Sequence, residues 1–333
     1  MSGPYYYKTM KFIFKISRFD NLYFFVSNLT EFHFSCRKHF NIDWILSTGP
    51  LNQEEKKAIN DVNAIFKKYG FVIKNKKSLY LGKYFYCPKD KEKIGSLKKY
   101  LLPEEFERIN KSFSVIENRF NKIYNEKLLE NWKLALEKEL SSEKFLKLLN
   151  FAQRFFNATE KESVLNVHLL MSPSMTWSAS GNANLGEEDI TLEVPVFNLT
   201  EEQIELAACI LLHELSHVWF ENDDIYTIAK KLSGNNFSLI KEIIIDSVSP
   251  LGFPAQKYSK VSNPFKRFLF HNLADGFKAH ENFVNNKEVD KQKLSVYVNW
   301  LIYPLVAKYY LENKKLDADF IKAIVKVIKK RAI

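Results

Sequence analysis

The sequence predicts a mainly helical α+β protein in which a small β-sheet precedes a pair of site-bearing helices. Three observations lead there. Gly and Pro are sparse, at ten each, which favours long helices over a many-turned β fold. Between Ser163 and Pro195 the texture changes to short apolar runs parted by a Ser-, Asn- and Gly-rich stretch. From Thr200 onward helical periodicity returns and holds to the C-terminal segment. With 333 residues, 46% hydrophobic and 26% charged, the chain is long enough to bury one large core or two ordinary ones. The expected division is a mainly helical region with a short strand over 1–160, and the site-bearing domain over 161–333.

Taken in order, Lys11-Phe-Ile-Phe-Lys-Ile16 mixes alternation with an apolar run and reads as a short strand. Leu51 to Tyr69 is helical, with Ala58, Val62, Ile65 and Phe66 on one face and Gly70 at the stop. Tyr84 to Pro88 and the lysine-rich stretch after it read as a connection. Pro103 to about Phe156 contains no further Gly or Pro and reads as a helical hairpin. Val164–Met171 and Ile190–Val194 read as strands of a small sheet or hairpin, the second stopped by Pro195. Thr200-Glu-Glu-Gln203 fits a capping box, in which Thr200 accepts from the Gln203 N–H and Gln203 reaches back. Ile204, Ala207, Ala208, Leu211 and Leu215 then recur at helical steps and predict a largely buried helix.

Composition excludes several functions. The net charge is +10, but the basic residues are interspersed with acids, as on a solvated surface. A nucleic-acid site is therefore not expected, although mild attraction for acidic partners is. Cys36, Cys87 and Cys209 are odd in number and far apart. They make neither a disulfide framework nor a cysteine zinc knuckle, and free thiols suit a reducing compartment. No stretch has signal-peptide character or approaches the roughly 20 apolar residues of a membrane span. The expectation is a soluble, cytoplasmic protein with no membrane partner.

The chemistry is concentrated in His213-Glu214-Leu215-Ser216-His217. Residues four apart on a helix project about 40° from one another, one turn apart, so two imidazoles can meet one metal ion from one rigid element. Glu214 lies beside the first imidazole, where its carboxylate can serve a water as general base; this is the H-E-x-x-H arrangement. A catalytic zinc needs a third protein ligand. In H-E-x-x-H-x-x-G-x-x-H sites a glycine turn supplies it, but here Phe220 stands at the glycine and Asp223 at the ligand, so Asp223 is a weak candidate. Glu242 and Asp246 are better placed. They share a face of an otherwise apolar helical segment, where carboxylates are costly unless paired with a cation or metal. Glu242 can complete the ligand set, and Asp246 can accept from a ligand imidazole and fix its tautomer. Cys209, a full turn before His213, reads as a small core residue.

These two segments resemble the gluzincin class of zinc metallopeptidases, whose pattern is H-E-x-x-H followed on a later helix by E-x-x-x-D. The resemblance covers residues 200–247 and, loosely, the strands before them. It implies a zincin-like catalytic domain over 161–333 and one zinc ion held by His213, His217 and Glu242. It also implies Glu214 as general base and proton shuttle, and Asp246 hydrogen-bonded to His213. A peptide or protein substrate would lie extended along a strand before the motif helix, supplied by Leu192 and its neighbours or by Ser178 to Asn184. The oxyanion donor of this class is commonly Tyr or His, which makes Tyr297, Tyr303, His271 and His280 the candidates. Two signatures are missing. Lys241 stands where thermolysin-like members carry Asn, and Gly181-Asn-Ala-Asn-Leu is not the G-x-M-E-N segment of the aminopeptidase branch. A bacterial branch outside both is the expectation. The competing reading is a catalytically inactive zincin-like binding or regulatory protein, against which Glu214 argues.

Overall fold

The computed structural model describes residues 10–30, 38–69, 98, 101–158, 164–173, 180–183, 189–196, 199–259, 264–285 and 287–329. Gly70, the connection around Tyr84 to Pro88, Cys36 and Cys87 lie outside them. The fold is mainly helical with one small sheet, as expected. The chain forms two compact units, one of Phe12–Leu134 with Val164–Leu199, the other of Met1–Lys11, Ala135–Ser163 and Thr200–Ile333. It therefore passes between them more than once. The passages fall at 11/12, 134/135, 163/164 and 199/200.

The first unit holds the sheet. Its strands are β1 (Lys11–Lys15), β2 (Val164–Ser172), β3 (Ser180–Ala183) and β4 (Asp189–Pro195), ordered β1-β2-β4-β3. The two strands expected before the motif helix are present, but they are parallel and form no hairpin; Leu169 pairs with Leu192. Parallel neighbours need a long crossover. Here it contains β3, which returns antiparallel against β4, with Gly181 opposite Leu192. Leu192 is thus flanked on both sides, and Ser180–Ala183 is the terminal strand in the sheet order. Of the two proposed substrate edges, Leu192 is excluded by its own ladder. The Ser178–Asn184 alternative is described only at 180–183.

After β1 this unit continues with α1 (Arg18–Leu29), α2 (Lys38–Thr48) and α3 (Gln53–Tyr69). Ser17 caps α1 by accepting from the Asp20 N–H. Every residue of α1 from Asp20 to Leu29 is buried, so it carries no amphipathic stripe. Two of its polar side chains, Asp20 and Asn21, bond to the sheet. Asn21 donates to Leu169 O and accepts from Met171 N–H, giving β2 the partners a strand would offer. His168 on β2 has Nδ1 3.1 Å from Asp20 and Nε2 3.1 Å from Asp189. Ionised carboxylates only accept, so both ring nitrogens must donate. Burial opposes charge on this imidazole, but Asp189 and Asp20 outweigh it and raise its pKa above the usual value.

The expected hairpin over 103–156 is three helices: α4 (Pro103–Phe120), α5 (Glu126–Leu140) and α6 (Glu143–Phe155). Asn125 accepts from the Leu128 N–H and Ser142 from the Phe145 N–H. These caps divide a stretch that lacks Gly and Pro. Buried Arg119 on α4 grips Glu55 through Nε and Nη2, at 2.9 and 2.6 Å, and its Nη1 and Nη2 donate to the carbonyls of Thr48, Gly49 and Pro50. The passage between units at 134/135 lies within α5.

The second unit contains the end of α5, α6, and then α7 (Glu201–Glu221), α8 (Asp224–Ser233), α9 (Phe237–Asp246), α10 (Phe253–Tyr258), α11 (Pro264–Val284), α12 (Lys291–Leu311) and α13 (Ala318–Lys329). Its core is strongly aromatic. Phe155 packs edge-on against Phe156 and Phe320, and Phe156 against Phe220 of α7. The Leu316 N–H donates to Phe155 O, tying the segment before α13 to the end of α6. Among the described residues no helix is long and apolar enough to cross a membrane.

Candidate metal centre

Helix α7 begins where the residues require. Thr200 accepts from the Gln203 N–H, and Gln203 accepts from the Thr200 N–H, completing the capping box. Ala207, Ala208, Leu211 and Leu215 are fully buried, which fixes the rotation of the helix and hence the direction of His213 and His217. Helix α9 is set the same way by Leu239, Ile240, Ile243, Ile244 and Ile245, all buried. Its remaining face carries Glu242 and Asp246 towards the histidines, with the Glu242 side chain 42% exposed and Asp246 only 16%.

The two helices bring three donor atoms together. His213 Nε2 lies 3.2 Å from His217 Nε2. Glu242 Oε2 lies 3.8 Å from the first and 3.4 Å from the second. The circle through these three atoms has a radius of about 2.0 Å, close to the roughly 2.0–2.2 Å that zinc keeps from imidazole nitrogen and carboxylate oxygen. One point is thus within bonding distance of all three.

Protonation supports the same use. His213 Nδ1 lies 3.2 Å from Asp246 Oδ1 and 3.2 Å from Ser249 O. A backbone carbonyl only accepts, so Nδ1 carries a proton and the neutral ring presents the Nε2 lone pair to its neighbours. Without a metal, two imidazoles and a carboxylate facing one another draw in a proton instead. Burial pulls the His213 pKa down, but Asp246, Glu214 and Glu242 prevail and raise it to about 9. Burial likewise works against charge on Glu242, yet His217, His213 and Lys241 hold its carboxyl below the usual range. Glu214 is buried beside the first histidine and adds its field to that imidazole.

Other expected residues have different occupations. Asp223 accepts from the Ile225 N–H as the cap of α8, so its carboxylate is already engaged. The Cys209 thiol is buried, and its pKa is pushed up to about 12, chiefly by that burial. Tyr303 donates its hydroxyl to Gln256. Tyr297 stacks its ring among Phe277, His280 and Trp300. His280 is buried and directs Nε2 at Val327 O. The His271 side chain lies outside the described residues.

Ser249, Ser295 and Glu221, around the centre, carried no sequence signal, and Lys241 none beyond its charge. Ser249 supplies the carbonyl facing His213, and its hydroxyl donates to Cys209 O. Ser295 of α12 donates to Asp246 Oδ2 at 2.8 Å. Lys241 pairs with Glu221 at 3.0 Å and stands 3.9 Å from Glu242 Oε1, which leaves Oε2 to face the histidines. Comparison of the chain with protein-family models, with curated proteins and with solved structures finds no match.

Proposed function

We propose that the chain is a zinc-dependent peptidase of gluzincin type, with one zinc ion held by His213, His217 and Glu242. One observation carries the proposal: three ligand atoms of suitable chemistry surround a point at zinc-bonding distance, on two helices whose rotation the core dictates. The chemistry zinc supplies when bound is a water acidified towards a pKa of about 7 and a polarised substrate carbonyl.

The protein's own residues do the rest. His213 and His217 present Nε2, and Asp246 with Ser249 O hold the His213 ring in the ligating tautomer. Glu242 offers Oε2, while Lys241 draws on Oε1. Glu214 takes a proton from the attacking water and returns it to the leaving nitrogen, which makes it base and then acid in one turnover. The substrate is a peptide or protein. A cytoplasmic setting belongs to the same proposal, since the free thiol of Cys209 suits a reducing compartment.

The test is Glu214→Gln. The variant should retain the zinc content of wild type, measured by elemental analysis after dialysis, and lose peptide-library cleavage by about 10²–10⁴-fold. Cleavage at the wild-type rate would remove the proposed base. Wild type that cleaves nothing while holding zinc would point to the inactive binding protein instead.

A further inference from the structure

We infer that Ser295, steadied by Asn299, is a positioning residue for the metal centre, acting through Asp246 on His213. This rests on the zinc reading above. Ser295 is buried on α12 and donates its hydroxyl to Asp246 Oδ2 at 2.8 Å. The other oxygen of the same carboxylate, Oδ1, faces His213 Nδ1 at 3.2 Å. A carboxylate turns easily about its last torsion, where the energy wells are broad. A bond to Oδ2 from a second helix removes that freedom and keeps Oδ1 on the imidazole.

The direction of the hydroxyl follows from its neighbours. Asn299 Nδ2 donates to Ser295 O at 3.1 Å and approaches Ser295 Oγ at 3.4 Å. An amide N–H cannot accept, so the serine proton is left for Asp246. A serine inside a helix ordinarily bonds the carbonyl one turn back. Ser216 in α7 does so, donating to Leu212 O at 2.8 Å. Ser295 gives its proton to another helix instead. Asn299, Ser295, Asp246 and His213 thus form a relay from α12 through α9 to α7, ending on the ring whose Nε2 joins the ligand triangle.

The experiment compares wild type with Ser295→Ala and Ser295→Thr by zinc competition against a chromophoric chelator and by the thermal midpoint of zinc-free protein. Ser295→Ala should bind zinc about tenfold more weakly, and Ser295→Thr, which keeps the hydroxyl, should recover most of that loss. The zinc-free midpoint of the Ala variant should stay near wild type. A purely structural role would lower the midpoint and leave affinity unchanged. Asn299→Ala keeps Ser295 but frees its hydroxyl to turn back along α12. It serves as the second variant, with an expected weakening of about threefold. If Ser295→Ala, or Asn299→Ala should the first not fold, binds zinc like wild type, this inference falls and the zinc reading stands. Wild type that takes up no zinc overturns both.

Discussion

His168 and His213 are both shielded imidazoles set among acids, one in each unit, and their ring nitrogens are engaged in opposite ways. His168 has a carboxylate at 3.1 Å from each ring nitrogen. Both nitrogens donate, no lone pair remains, and the ring is a charged brace joining β2 to α1 and to the start of β4. His213 has oxygen acceptors within hydrogen-bond length on Nδ1 only. Its Nε2 faces a second imidazole at 3.2 Å and a carboxylate at 3.8 Å, the latter beyond hydrogen-bond length. Acids near a histidine therefore do not by themselves make a candidate metal site. What matters is that one nitrogen is anchored and the other is turned, with further lone pairs, towards a shared point.

Removing the rings should separate the two roles most sharply. His213→Ala is expected to abolish stoichiometric zinc uptake, whereas His168→Asn should keep it, as measured by elemental analysis after dialysis. Full zinc retention by His213→Ala would erase the distinction. Next in size is the brace. Asp20→Ala removes one partner of a buried charge pair and should cost about 3 kcal/mol in urea unfolding, with zinc content unchanged. An effect below about 0.5 kcal/mol would mean that His168 is not held as a cation.

The brace also predicts a pH dependence. The folded-state pKa of His168 is raised, so its contribution is complete below the unfolded value of about 6.5 and is lost as pH rises through the folded value. Urea unfolding followed from pH 6 to pH 9 should show stability falling on the alkaline side, by about 1.4 kcal/mol for each pKa unit of elevation. Asp20→Asn should reduce that slope and leave the part that comes from His213, whose pKa is also raised; an unchanged slope in the variant would exclude His168 as a source. The smallest effect expected is Thr200→Ala, which removes the cap of α7 at a cost of about 1 kcal/mol while zinc uptake is maintained. Lost uptake would show that the helix start, far along α7 from the histidines, sets their geometry.

The elements legible in the sequence are those whose information is local. The start of α7 is written in Thr200 and Gln203, its buried face in Ala207, Ala208, Leu211 and Leu215, and the meeting of His213 with His217 in a four-residue step. Glu242 and Asp246 stand out because the residues around them are apolar. What was illegible depends on partners distant in the chain. Ser295 looks like any helical serine until α12 packs beside α9. Leu192 reads as a strand residue, but whether that strand is inner or terminal depends on where β3 returns. Helix α1 offers no periodicity, because it is buried all round. The division of 103–156 into three helices hangs on Asn125 and Ser142, whose capping role is visible only once the backbone turns.

The way the chain alternates between the two units has a consequence for biosynthesis. A ribosome has delivered every residue of the sheet unit once Leu199 is made. At that moment neither histidine of the metal centre yet exists, and the helix bearing Ser295 is still to come. On the proposed zinc reading, the ligand set is complete only after the residues of the sheet unit have been made, so metal loading would fall to the last stage of synthesis or to the released protein.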